Sequence, residues 1–105
     1  MYCDYSDCKT VADTIKVLDE AREEYLKSDE NFLVLNDFSG GVISNEFMNV
    51  AREYGKELFD KRTPKTAALG ITGLKKVLIS SYNLIVKNKL SIFNNKTEAL
   101  DFLVK

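Results

Sequence analysis

The run "FLVLND", Phe32 to Asp37, is apolar through its first four positions and stops at the turn chemistry of "DFSGG". A short apolar run that does not alternate with polar residues reads as a strand buried on both faces, the mark of a central strand in a parallel sheet. Parallel neighbours cannot be joined by a tight turn. They need a crossover of a dozen or more residues, usually a helix. This one run therefore obliges the chain to supply helices between its strands.

The remaining segments meet that demand. "MYCDY" reads as a short strand. Thr10, with Asp13 three residues later, opens a helical period in a capping-box-like arrangement. Val11, Ile15, Leu18, Arg22 and Tyr25 recur at spacings of four and three, Ala21 widens the stripe, and Asp19, Glu20, Glu23 and Glu24 fill the opposite face. Ser44 suits the N-cap of a second helix over residues 45–61, with Phe47, Val50, Ala51, Tyr54 and Leu58 as its apolar stripe. Pro64, the only proline, stops that helix and introduces "KTAALGIT" as a third strand. A third helix follows Gly73 with Leu74, Val77, Leu78, Tyr82 and Ile85 expected inward. "KLSIF" is a fourth strand, and a last helix from residue 96 packs Ala99, Phe102 and Leu103.

The order β-α-β-α-β-α-β-α predicts an α/β fold: one small domain spanning residues 1–105, with a mostly parallel four-stranded sheet flanked by helices. Strands are expected at 1–4, 32–36, 66–71 and 90–93. Leu33, Leu35, Leu69, Ile71, Val77, Ile92 and Phe102 are the expected core. No repeat, low-complexity tract or linker marks a second domain.

Composition narrows the chemistry. Histidine is absent, which removes the usual general base near neutral pH and every imidazole metal site. Cys3 and Cys8 are too few and too close for a disulfide framework or a metal-ligand pattern. No metal and no cofactor are expected. A net charge of −1 argues against nucleic acid as a partner, and no apolar run is long enough for a membrane span. The start "MYCDYSD" has no signal-peptide character, so a cytoplasmic protein is expected. Near-neutrality hides a dipolar chain: residues 1–30 carry −5, residues 31–60 carry −3 and residues 61–105 carry +7.

Ligands of open parallel sheets sit beyond the carboxyl ends of the strands, which places "DFSGG" and "GITGLKK" on one rim. The candidate ligand-binding residues are Asp37, Ser39, Gly40, Gly70, Thr72, Gly73, Lys75 and Lys76. Backbone amides at a helix start, aided by two lysines, suit a phosphate or carboxylate. The spacing is neither that of a Walker loop nor that of a dinucleotide fingerprint. Turn formation is the simpler account of the glycines, and an Asx-turn the simpler account of Asp37.

"FLVLNDFSG", "KTAALGITGLKKVL" and "IFNNKTEALDFLV" together resemble the STAS-like group of small bacterial and archaeal proteins, whose wider relatives include lipid-transfer domains. The resemblance runs from about Tyr2 to Val104. It implies a sheet of four or five strands flanked by helices, as in anti-sigma-factor antagonists, with this chain beginning at the second strand. The phosphoswitch turn of those antagonists, Asp-Ser-Ser-Gly, corresponds here to "GGVISNEFM", in which Ser44 remains only as a cap.

Three function classes follow. The first is a non-enzymatic binding or regulatory domain with a protein partner or a small anionic ligand, self-associating as a homodimer. The second is a carrier of a small apolar or lipid-like ligand, as the resemblance implies. An enzyme would have to rest on Asp37, Ser39, Lys75 and Lys76.

Overall fold

The computed structural model describes residues 1–84 and 89–105. Four strands, β1 (Tyr2–Asp4), β2 (Leu33–Asp37), β3 (Lys65–Leu69) and β4 (Leu90–Phe93), form one sheet in the order β1-β2-β3-β4, with every pairing parallel. "FLVLND" is thus central, and the strand order follows the chain order.

Three of the helices, α1, α2 and α5, start where a side chain caps them. Thr10 and Asp13 form the reciprocal capping box of α1 (Val11–Leu26), the Asp13 amide donating to Thr10 Oγ1 at 3.2 Å. Ser44 Oγ accepts from the Phe47 amide at the start of α2 (Asn45–Tyr54), and Asn95 does the same for Glu98 in α5 (Lys96–Val104). Gly55–Phe59 continues α2 as a π-helical segment into a last turn, α3 (Asp60–Arg62), which ends before Pro64. The wider turn shifts the helical phase by about one residue, as π-segments do. It brings Phe59 against Tyr25 with ring centroids 4.7 Å apart.

A sheet whose parallel strands follow chain order, joined by crossovers of one hand, receives all its crossover helices on one face. The packing agrees. α1, α2 and α4 (Leu74–Asn83) bury Leu18, Ala21, Tyr25, Phe47, Met48, Ile79 and Tyr82 against Cys3, Val34 and Ala68. Among the described residues, the opposite face is covered by α5, where Ala99 and Leu103 meet Leu35, Ala67 and Leu69. Arg62 ties the α1–β2 connection: its guanidinium donates to the carbonyls of Tyr25 at 2.7 Å and Ser28 at 2.6 Å and lies over the Tyr25 ring.

Three expected core residues, and Leu74 of the expected inward stripe, are corrected. Leu74 and Val77 do not face inward but are 84% and 62% exposed, and Leu84 beside them is 88% exposed. α4 is rotated so that Leu78, Ile79 and Tyr82 form its inner seam. Lys75 shares that side, its ammonium reaching the Phe38 carbonyl. Leu33, at 41% exposed, points to the α5 face at the start of β2, outside the cluster that α5 builds with Leu35, Ala67 and Leu69. Ile92, at 42%, lies on the sheet's edge strand, and α4 leans on α2 instead of covering it. Leu35, Leu69 and Ile71 are buried as expected, and Phe102 is half-buried. Ile85 lies outside the described residues. No described helix is long and apolar enough to cross a membrane.

Candidate functional site

The carboxyl ends of β2 and β3 do form one rim, and backbone bonds close it. The Phe38 amide donates to Leu69 O at 3.0 Å, and the Gly41 amide donates to Phe38 O at 3.2 Å. Gly70 takes φ +75°, and a Cβ built there would lie 2.4 Å from the Ser39 nitrogen. Only glycine allows so close a passage of two turns. Gly40 also has a positive φ, and a Cβ there would approach Ser6 O at 3.4 Å.

The polar candidates divide into separate groups. Asp37 closes an Asx-turn by accepting from the Ser39 amide at 2.9 Å, and its other oxygen accepts from the Tyr2 hydroxyl at 3.1 Å. Partial burial opposes ionisation of Asp37. The Ser39 amide and hydroxyl, the Tyr2 hydroxyl and the field of Lys96 outweigh it, so the carboxyl sits below its ordinary range. Lys96 also lies over the Tyr2 ring at 5.3 Å. Lys75 is not paired with Asp37; it donates to Phe38 O at 2.7 Å and pins the α4 start to the β2 turn. Lys76 and Thr72 are exposed. Gly73 is the N-cap of α4, without a side-chain cap, and opens onto empty space. The structure therefore brings Asp37, Ser39, Gly40, Gly70 and Lys75 together as a braced turn. It leaves Thr72, Gly73 and Lys76 facing outward, apart from Asp37. Tyr2 and Lys96 are the partners of Asp37 that sequence reasoning missed, and strand register alone could have placed Tyr2 on its face.

Beneath the rim, between the sheet and the helices, lies a cavity of about 80 Å³. Its walls include Leu18, Val34, Phe38 and Phe47, and it is also lined by Tyr5, Asn36 and Tyr82. Asn36 spends both amide hydrogens on Thr66 Oγ1 and Ala67 O, which leaves its oxygen as an acceptor. The Tyr5 and Tyr82 hydroxyls have no hydrogen-bond partner among the described residues. Burial drives both phenols up, Tyr82 to about 12 with the Asp60 field adding to it, so both are neutral donors at physiological pH. Sequence periodicity placed Tyr82 inside but had no means of showing a void there.

Among the described residues, no group of three or more Cys, Asp or Glu side chains converges as a metal site. Cys3 and Cys8 are buried thiols, not bonded to each other. Burial pushes Cys3 up to about 11 and raises Cys8 as well.

Fold and site together define a small α/β domain in which, among the described residues, an all-parallel four-stranded sheet carries α1, α2 and α4 on one face and α5 on the other. No family model, no curated protein and no solved structure matches the chain.

Proposed function

We propose that this chain is a non-enzymatic binding domain of the STAS-like type that works through the outer face of α4. The observation that carries this reading is that α4 exposes Leu74 and Val77, with Leu84 exposed at its C-cap, on a protein that is 30% charged residues. Exposed apolar clusters of this kind mark interaction surfaces far more often than isolated apolar residues do. Burying the three side chains in a complex would be worth about 1.5–3 kcal/mol each before the costs of association. The braced rim supports the same reading: Lys75 and Asp37, the groups an enzyme would need free, hold turns together. A cytoplasmic setting belongs to the same proposal.

The test is a photo-crosslinking amino acid placed at Val77 and, as a control, at the exposed Lys56, in cells that make the protein. A discrete cross-linked species from Val77 alone is expected. Equal results from the two positions would contradict the reading.

The cavity favours a second reading, a carrier of a small molecule. Apolar walls with two phenol donors and one amide acceptor suit a compact apolar molecule bearing a single carbonyl or hydroxyl. An 80 Å³ space is about half that of an engineered cavity known to hold benzene, so an acyl chain does not fit without expansion. A native mass spectrum showing a retained mass that Tyr5→Phe and Tyr82→Phe weaken would favour this reading. A bare protein mass would count against it.

A further inference from the structure

We propose that the partner of this surface is a second copy of the chain, docked head to tail so that β4 of one copy extends the sheet at β1 of the next. The inference rests on the α4 reading above and names its occupant.

The two edges of the sheet are complementary in direction, shape and charge. β1 and β4 run parallel, so a neighbouring copy can add β4 to β1 without reversing the sheet. Strand register then sets the fit. Cys3, Asn36, Ala68 and Ile92 form one row across the sheet, on the face that carries α1, α2 and α4. Ile92 ends that row half-exposed. At the opposite edge, a groove of about 550 Å³ runs between β1 and α1, with Cys3 in its lining and Val17 and Ala21 on its α1 side. An incoming β4 in register would set Ile92 into the apolar part of that groove. The outer face of α4, turned away from α2, would then approach the neighbour's α1.

Charge selects this arrangement over a two-fold one. Asp4, Glu20, Glu23 and Glu24 line the groove with Lys27, which pairs with Glu24 at 3.3 Å, and the Met1 ammonium is held by Leu33 O, so the wall is acidic on balance. Lys89, exposed and immediately before β4, would arrive at the Met1 end of β1. A two-fold pairing of like edges would run the strands antiparallel, so neither β1 with β1 nor β4 with β4 would bring Lys89 to the acids of α1. Only the head-to-tail contact joins the two opposite charges. A heterologous contact of this kind builds a ring if its rotation closes and an open array if it does not.

The experiment is sedimentation velocity on the full chain over a wide concentration range, at low and high salt. The variants are Lys89→Glu and the pair Glu23→Lys/Glu24→Lys, all at exposed positions, with far-UV circular dichroism confirming that each is folded. The wild type is expected to associate with rising concentration and to dissociate in salt. Each variant alone is expected to associate roughly tenfold more weakly, and an equal mixture of the two is expected to recover association because opposite charges meet again. Three results would overturn the proposal: a wild type that stays monomeric, a Glu23→Lys/Glu24→Lys variant that associates like the wild type (as a β4–β4 dimer would), or a mixture no better than its parts. A discrete Val77 cross-link to a different protein, with a monomeric wild type, would leave the α4 surface standing and remove only the self-association.

Discussion

Three glycines meet the rim turns for different physical reasons, and alanine substitutions should separate them. At Gly70 both reasons apply: φ is +75°, and an added Cβ would sit 2.4 Å from Ser39 N, 2.6 Å from Ser39 Cα and 2.7 Å from Ser39 Oγ. The first two of those atoms are backbone, so no side-chain rotation relieves the overlap. The left-handed conformation alone costs an L-residue about 1–2 kcal/mol. Moving one turn away from the other also endangers the Phe38–Leu69 bond, worth about 1 kcal/mol. Gly70→Ala should therefore cost about 2–4 kcal/mol in all, within the range of severe single substitutions. Gly73→Ala meets nothing within 4 Å and should show only the conformational part. Gly41→Ala has no positive φ, but its Cβ would lie 2.1 Å from Tyr5 O, so it should show only the packing part. Urea melts read the series directly, since 3 kcal/mol lowers the midpoint by roughly 1–3 M at the usual slopes. If Gly70→Ala stays within about 0.5 kcal/mol of wild type while Gly73→Ala is costly, the close passage of the two turns is wrong.

Leu35→Ala should cost about 2–5 kcal/mol in the same melts, whereas Leu33→Ala, two residues away but half-exposed, should cost under about 1 kcal/mol. Arg62→Lys keeps the charge but loses the fork that reaches the Tyr25 and Ser28 carbonyls, and should cost about 1–3 kcal/mol in thermal unfolding. Asp37 is held below its ordinary range, so its contribution to stability is present above about pH 4 and lost as pH falls through the lowered folded value; Asp37→Asn should flatten that acidic limb of a stability–pH curve. Cys3, pushed up to about 11 and buried, should react with a thiol reagent at pH 8 only as fast as the protein opens, and rapid stoichiometric labelling would contradict its burial.

The backbone plan was legible because its signals are local. Unbroken apolar runs, Thr10 with Asp13, Ser44 and Pro64 each announce an element without help from the rest of the chain. Helix rotation was not legible in the same way. α4 carries apolar residues at Leu74, Val77, Leu78, Ile79 and Tyr82, which is too many to define one stripe, so the inward face is chosen by tertiary contacts. The exposure of Leu33 and Ile92 depends on where α5 and α4 lie over the sheet, a placement that strand patterns do not contain. The rim motif was placed correctly, yet its lysines diverge. Lys75 turns inward to Phe38 O and Lys76 outward, a difference set by the phase of α4. Arg62 and the Tyr2–Asp37 bond join residues 37 and 35 positions apart in the sequence, and no spacing rule reaches that distance.

The account turns on which face of α4 looks outward, and carbene footprinting of the dilute native protein measures that directly. Heavy modification of Leu74, Val77 and Leu84, with Ile79 and Tyr82 spared until the protein is unfolded, is the expected result. Modification of Ile79 and Tyr82 in the native state, with Val77 protected, would contradict the rotation of α4 and with it the proposed binding surface.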